Sequence, residues 1–216
     1  MKSNWYIYGA GGLGVETLDI LRSYLNDESD FTINFLVDNI DAKVVNGVDV
    51  VEYSSNLEGY VTIAIGEPAT RLKLYNKIKE EKSSKLELKT IISKDAFVSE
   101  FATVGEGCII APFCSIQSTA LIGNNVAINT AAIVGHDVVV GESAVISSQV
   151  NIGGGVKVGR ESYIGMGALI REGINIGSNV IVGMGSVVHR DIPDGVIAMG
   201  NPARPLKNNV EQKVFN

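Results

Sequence analysis

The sequence predicts a small parallel α/β domain over residues 1–90, an all-β parallel helix over 91–193 and a C-terminal tail over 194–216. Three observations carry this. Every sixth residue from Ile92 to Val188 is Ile or Val, seventeen times without a break. Four positions after each of these anchors the residue is small or aliphatic, as at Ala96, Cys108, Cys114, Ala132, Ala168 and Ser186. Ahead of the repeats, NWYIYGAGGLGVETLDILRSYL gives an apolar run, a glycine-rich turn and an amphipathic helix in that order.

The front domain reads as strands alternating with helices. The apolar run ending at Tyr8 is a strand, and Gly9, Gly11 and Gly14 stand in the G-x-G-x-x-G spacing. In a βαβ unit such a turn lets the backbone approach phosphate oxygens and presents amides at the start of the next helix. About 90 residues make only one mononucleotide-binding half, so the turn reads either as a nucleotide-phosphate site or as a tight turn alone. TINFLVDN is a second strand ending at Asp38, which either contacts a base or ribose or caps the strand. YVTIAIGEP is a third, ending near Gly66, and ATRLKLYNKIKEEK is a helix.

The repeat has a different logic. A period of six matches neither an amphipathic helix, whose apolar face returns at three and four residues, nor an ordinary strand, which alternates at two. Short strands joined by tight turns satisfy it. Three units make one triangular coil of about eighteen residues, so that identical corners stack and the Ile/Val columns fill the interior. Glycine follows the anchor in nine units, for example Gly105, Gly123, Gly141 and Gly177, where it is expected to supply backbone angles that a Cβ disfavours. Spacing alone leaves the handedness open.

Composition narrows the class. The 216 residues are 45% hydrophobic, enough for a sizeable core. No apolar stretch approaches the length that spans a bilayer and the N-terminus lacks a secretory pattern, so a soluble cytoplasmic protein is expected. The net charge of −6 argues against general nucleic-acid binding. Residues 1–150 hold 11 Lys/Arg against 19 Asp/Glu and residues 151–216 hold 7 against 5, which leaves room for a local anion site toward the C-terminus. Cys108 and Cys114, the two cysteines, are too few for a disulfide framework or a four-thiolate zinc site and read as buried free thiols.

One of the two histidines, His136, interrupts the aliphatic run TAAIVGHDVVVGESA. Val134 is the anchor of that unit, which puts His136 near a corner and outside the core column. Eighteen residues on, the same position in the next coil is Gly154, which leaves open space beside the ring. An imidazole, with a reference pKa of about 6.5, can accept a proton from an attacking amine or hydroxyl near neutral pH.

The segments IYGAGGLG, FLVDN, AIGEPATR, INTAAIVGHD, GGGVKVG, IGMGALIREGINIG, VGMGSVVHRDIP and GNPARPLK together resemble the sialic-acid O-acetyltransferase and bacillosamine-pathway N-acetyltransferase family. The resemblance covers essentially the whole chain. It implies a left-handed β-helix, against the usual right-handed preference of parallel crossovers, behind a half-Rossmann-like nucleotide-sugar domain. It implies a homotrimer with active sites between subunits, acetyl-coenzyme A as co-substrate and no metal. His136 becomes the general base, Asp137 its helper and Asn129 an acceptor contact. Gly9, Gly11, Gly12, Leu13, Gly14, Asp38, Asn39, Gly66 and Arg71 fall in the sugar-nucleotide site. Gly154, Met166, Gly167, Ala168, Met184 and Gly185 fall along the coenzyme, whose phosphates Arg204 or Lys207 would meet. A backbone amide, with Gly153 and Gly154 one coil away, can stabilise the oxyanion. The expected reaction is N-acetylation of a UDP- or dTDP-linked 4-amino-4,6-dideoxy sugar of the kind used in lipopolysaccharide O-antigen synthesis. The alternative is O-acetylation of a sialic acid or another sugar hydroxyl.

Two positions depart from the family pattern. Leu13 stands where many members have a histidine in the glycine turn, and Val145 stands where others carry a second histidine nine residues after the catalytic one. Both leave the base in place and bear on the identity of the acceptor. Other classes fit less well. A β-helix carbonic anhydrase needs three zinc-binding histidines, and only His136 and His189 exist. An NAD-binding oxidoreductase could use the GAGGLG turn but leaves the repeats without a role. A non-catalytic scaffold would repeat one polar residue on a flat face, and the outward residues here are mixed.

Overall fold

The computed structural model describes residues 2–215 apart from 26, 27 and 82. The front domain runs β1 (Ser3–Tyr8), α1 (Gly12–Tyr24), β2 (Phe31–Val37), β3 (Val44–Val45), β4 (Val48–Glu52), β5 (Glu58–Ile63), α2 (Pro68–Glu80) and β6 (Lys85–Leu88). These strands form one sheet in the order β3-β4-β2-β1-β5-β6, parallel except for the β3–β4 pair. Sequence reading finds β1, β2 and β5 and misses the other three. The missed β3–β4 hairpin turns on Asn46-Gly47, both at positive φ, which is the residue pair that a two-residue hairpin turn favours.

The chain leaves β1 for β2 on one side and returns through β5 on the other. The glycine turn therefore lies where the strand order reverses, at the carboxyl ends of the strands. Its glycines have separate reasons. Gly9 has φ +118 and a Cβ there would stand 2.7 Å from Ala64 O; a Cβ on Gly14 would overlap the Gly9 carbonyl oxygen. Gly11 and Gly12 have nothing within 4 Å of a Cβ, so the space above them is open.

From Ile91 the described residues form seventeen two-residue strands that repeat every six residues to Val188. Strands eighteen residues apart pair in parallel, Ile133 with Asn151 and Val134 with Ile152 for example, and so build three flat faces. The first face begins at Ile91–Ile92, the second at Phe97–Val98 and the third at Thr103–Val104. Anchors such as Ile116, Val134 and Ile164 point inward and are buried, as are the small residues four positions on.

The corners correct the reading of the glycines. Every sixth residue from 107 to 185 has positive φ, and nine of these are not glycine, among them Phe113, Asn125, Ala131 and Asp137. The glycines that follow the anchors lie two residues earlier and serve close approach instead. A Cβ on Gly135 would stand 2.8 Å from the Gly154 nitrogen, and one on Gly159 would overlap the main chain of Gly177. Coils spaced about 4.8 Å apart leave no room for a side chain between corner backbones.

The two halves pack along the first face. Its outward residues Ile91, Ile109, Ala127 and Val145 are buried, and α1 lies against the first of its strands. From α2, Arg71, Tyr75 and Lys79 reach the corner between the third and first faces. They meet Asn125 and Glu106 there, and stand four residues apart on one side of the helix. The stretch read as a tail is ordered: Val196–Gly200 adds a further parallel strand to the first face, and Ala203–Asn208 returns antiparallel beside it. Further on, the Val214 and Phe215 amides donate to the Glu67 carboxylate. The second face is uncovered, with Phe97, Ile133 and Leu169 exposed along one ladder.

Close approach and positive φ make different demands on glycine, which thermal unfolding can separate. Gly159→Ala should destabilise by about 1–3 kcal/mol, the usual range for overpacking. Gly173→Asn, at φ +68 with open space around it, should cost less than about 1 kcal/mol because Asn tolerates that conformation.

Candidate active site

His136 follows the strand Ile133–Val134 and stands at the corner between the second and third faces. Its side chain is 65% exposed, and Nδ1 lies 2.8 Å from Asp137 Oδ2. A carboxylate only accepts, so Nδ1 carries the proton and Nε2 of the neutral ring is left with its lone pair. Nε2 faces the next coil, where a Cβ on Gly154 would stand 2.5 Å from it. Gly154 is the notch that lets the ring lie there.

Asp137 is held from both sides. It occupies the positive-φ corner position, its N–H donates to Ser118 O in the preceding coil, and Thr119 Oγ1 donates to Oδ1 at 2.6 Å. The Thr119 hydroxyl and then the His136 ring hold its carboxyl below the usual carboxylate range. The chain Thr119–Asp137–His136 is thus a hydrogen-bonded relay in which the corner backbone fixes the middle member. Thr119 is a residue that the sequence reading missed. Its signal is its place eighteen residues before Asp137.

The remaining candidates fall into separate places. Leu13 and Asn129 line one cleft of about 330 Å³ between α1 and the solenoid, together with Glu16, Asp95 and Thr130. Gly11 and Asn39 line a second, of about 350 Å³, closed by Val37, Asp41, Val45 and Val50. The β3–β4 hairpin therefore walls the crevice over the glycine turn. Asp38 points elsewhere: its carboxylate accepts from Tyr8 Oη at 2.7 Å and from Lys77 Nζ at 2.9 Å, and Lys77 also lies over the Tyr53 ring. A Cβ on Gly66 would stand 3.4 Å from the Phe215 ring, which lies over that position.

Arg71 is a correction. It is fully buried, with its guanidinium on the main-chain oxygens of Ile63, Ile65 and Asn125, and so cannot reach a ligand. Ala168 is a second correction: its side chain is buried in the solenoid, its N–H donates to Gly165 O and its carbonyl accepts from Asn151. The Gly167 and Gly185 amides are likewise used, on Ser148 O and Met166 O, so neither of these two N–H groups is free for a ligand, although the surface beside them is open. Met166 and Met184 are exposed on the same edge. The C-terminal hairpin meets that edge through Gly200 N–H on Ser186 Oγ, and Arg204 and Lys207 lie exposed on its second strand. Within one chain the second face separates this edge, with Asn129, from the edge that carries His136. No helix of the described residues is long and apolar enough to cross a membrane.

Residues 4–78 match the family model described as the PglD N-terminal domain. Among solved structures, the chain is similar to perosamine N-acetyltransferase from Caulobacter crescentus, crystallised as a histidine mutant with CoA and GDP-perosamine. The two share 30% identity with a TM-score of 0.85, covering 95% of this chain and 97% of that one. The acetyltransferase domain of PglB from Neisseria gonorrhoeae is similar at 30% identity and a TM-score of 0.85, with 95% and 100% covered. The chain belongs to the PglD-like sugar acetyltransferases. A third structure, WeeI from Acinetobacter baumannii, shares 29% identity and a TM-score of 0.84 over 94% and 99% of the two chains. No curated protein sequence matches the chain. In this PglD-like chain the match to those relatives spans 94–95% of the length, so the fold is shared across both the front domain and the solenoid.

The relay makes a pH-dependent claim. The Asp137 carboxyl is depressed in the folded protein, so the pairing with Thr119 and His136 is present above its pKa and is lost as pH falls through it. Thr119→Val removes the largest cause and should raise the Asp137 midpoint toward the ordinary value of about 3.9, read by carboxyl-carbon NMR; an unmoved midpoint would show that the threonine does not hold it.

Proposed function

We propose that this protein is an acetyl-coenzyme A-dependent N-acetyltransferase acting on the amino group of a nucleotide-linked 4-amino-4,6-dideoxy sugar, with His136 as general base. The observation that carries the reading is the His136 ring: Nδ1 fixed by Asp137, Nε2 aimed across the Gly154 notch. In the reaction the sugar amine attacks the thioester carbonyl while Nε2 takes its proton. The tetrahedral oxyanion collapses, the carbon–sulfur bond breaks, and the imidazolium returns the proton to the departing thiolate. Asp137 keeps the ring in the tautomer that this requires and stabilises the imidazolium. The Gly153 N–H already donates to Ile170 O, so the Gly154 amide is the candidate for the oxyanion.

Support for the acceptor comes from the front domain and from relatives. Gly11 has open space over an amide-bearing helix start, a place suited to a diphosphate, and Asn39 lines the crevice beside it. The Caulobacter relative is described with CoA and GDP-perosamine, so an assay panel should set GDP sugars beside the UDP and dTDP sugars that the sequence suggests. Acetyl-coenzyme A is the donor with which the PglB domain is described. Asn129, Met166, Met184, Arg204 and Lys207 remain proposed contacts.

The assembly we favour is a homotrimer with its sites between subunits. The uncovered apolar ladder of Phe97, Ile133 and Leu169 suits burial against another copy. A head-to-tail ring would set the His136 edge of one copy beside the Met166–Met184 edge of the next, which one chain holds apart.

Two measurements test this. His136→Ala should lower kcat by about 10²- to 10⁴-fold, the worth of a positioned general base, with little change in Tm; CoA release from sugar nucleotides reads the rate. Release with sialic acid and not with any amino-sugar nucleotide would overturn the N-acetylation reading. Leu169→Lys should shift the trimer toward monomer in light scattering and lose activity in proportion, whereas a fully active monomer would remove the shared-site claim.

A further inference from the structure

A buried charge away from the imidazole joins the two halves of the protein. Arg71 Nε and Nη2 donate to Asn125 O at 3.0 and 2.8 Å, and Nη2 also reaches Asn125 Oδ1 at 3.1 Å. Nη1 donates to Ile63 O and Ile65 O at 2.6 and 3.1 Å. These bonds use all five guanidinium protons on carbonyl oxygens. Burial pulls its pKa down to about 10, which still leaves it charged at neutral pH. An apolar side chain would fill this place without desolvating a charge. What the planar fork adds is direction, because it fixes α2, which carries it, the Ile63–Ile65 stretch and the Asn125 corner at set angles to one another.

Those segments come from both domains. Ile63 and Ile65 flank Ala64, whose N–H donates to Tyr8 O and whose carbonyl excludes a side chain from Gly9. They form the floor of the glycine turn. Asn125 is a solenoid corner at φ +55, tied through Nδ2 to Ser143 Oγ at 2.8 Å in the next coil. Four residues on, the same coil reaches Asn129 in the cleft shared with Leu13.

We infer that Arg71 is a positioning residue, which sets the angle between front domain and solenoid and so the point at which a sugar carried by the front domain meets His136. The inference rests on the sugar-nucleotide reading above. Nucleotide binding is decided within the front domain and coenzyme binding on the solenoid, so each alone survives loss of the clamp. The reaction needs the two in register. A misplacement of about 1 Å far from the chemistry can cost about 10²-fold in rate.

Arg71→Lys keeps the charge but, as a compact ammonium, cannot hold the three segments in one plane. The expected result is a folded enzyme whose kcat falls by about 10- to 100-fold, while the Kd values for UDP, dTDP, GDP and CoA, measured by calorimetry, stay within about threefold. A lowered Tm with unchanged kcat would reduce Arg71 to a stabilising contact and overturn the inference. Lost nucleotide affinity with normal kcat at saturation would overturn it too, by making Arg71 part of the nucleotide site. If Arg71→Lys does not fold, Asn125→Gly keeps the main-chain oxygen and the positive φ while removing Oδ1; a folded Asn125→Gly enzyme with wild-type kcat would also count against the clamp. Glu106→Gln, at the exposed rim where Tyr75 and Lys79 meet the solenoid, should leave kcat unchanged. If the wild-type enzyme acetylates no sugar nucleotide, the activity reading fails by itself. Small-angle scattering of Arg71→Lys against wild type then tests the domain angle directly, and superimposable profiles would refute the clamp.

Discussion

Each coil of the solenoid hydrogen-bonds through strands and corners to the coil eighteen residues further on, and this pairing decides where every other group can be. Gly155 N–H on His136 O and Asp137 N–H on Ser118 O are two of these bonds, and they flank the imidazole. A side chain's neighbours are therefore fixed by its number: Thr119 beneath Asp137, Gly154 above His136. A single inserted residue would turn inward anchors outward and separate the relay at once. The same rule makes the corner a rigid mount. Rigid mounts suit a base that must hold one tautomer and one direction of approach.

The front domain obeys a different constraint and meets the solenoid at an interface that is apolar under α1 and polar under α2. Ile91, Ile109, Ala127 and Val145 cover the apolar part. On the polar part, Tyr75 and Lys79 share the Glu106 carboxylate at the rim while Arg71 lies buried beyond them. Apolar contact resists separation but tolerates sliding. In our inference the buried Arg71 fork, rather than the rim contacts, supplies the direction that it lacks.

Most of the fold was legible because the repeat is long and unbroken, and six-residue periodicity admits one architecture. The glycine turn was legible for a similar reason, since its spacing names both a strand before it and a helix after it. The β3–β4 hairpin was missed although Asn46-Gly47 signals it, because its strands are short and lack a long apolar alternation. His136 stood out as an imidazole in an aliphatic run, and the eighteen-residue step exposed the Gly154 notch. The same step applied backward would have found Thr119. Arg71 and Asp38 could not be placed from sequence: each is polar and lies at a strand or helix end near the crevice, and only the packing of α2 decides that one faces carbonyls and the other faces Lys77. Corner glycines were assigned the wrong reason because steric exclusion between coils and positive φ both select glycine, and spacing does not distinguish them.

The hairpin of Val196–Gly200 and Ala203–Asn208 has a consequence for solubility. A stack of parallel rungs presents, at its last rung, a row of unsatisfied amides and carbonyls that another chain could extend, as growing fibrils do. Here the strand on that row is followed by one that runs the opposite way, carries Pro205, and bears Arg204 and Lys207 outward. Reversal of direction, a missing donor and like charges each discourage a neighbour from continuing the ladder. The hairpin thereby acts as a terminator for the ladder of the first face.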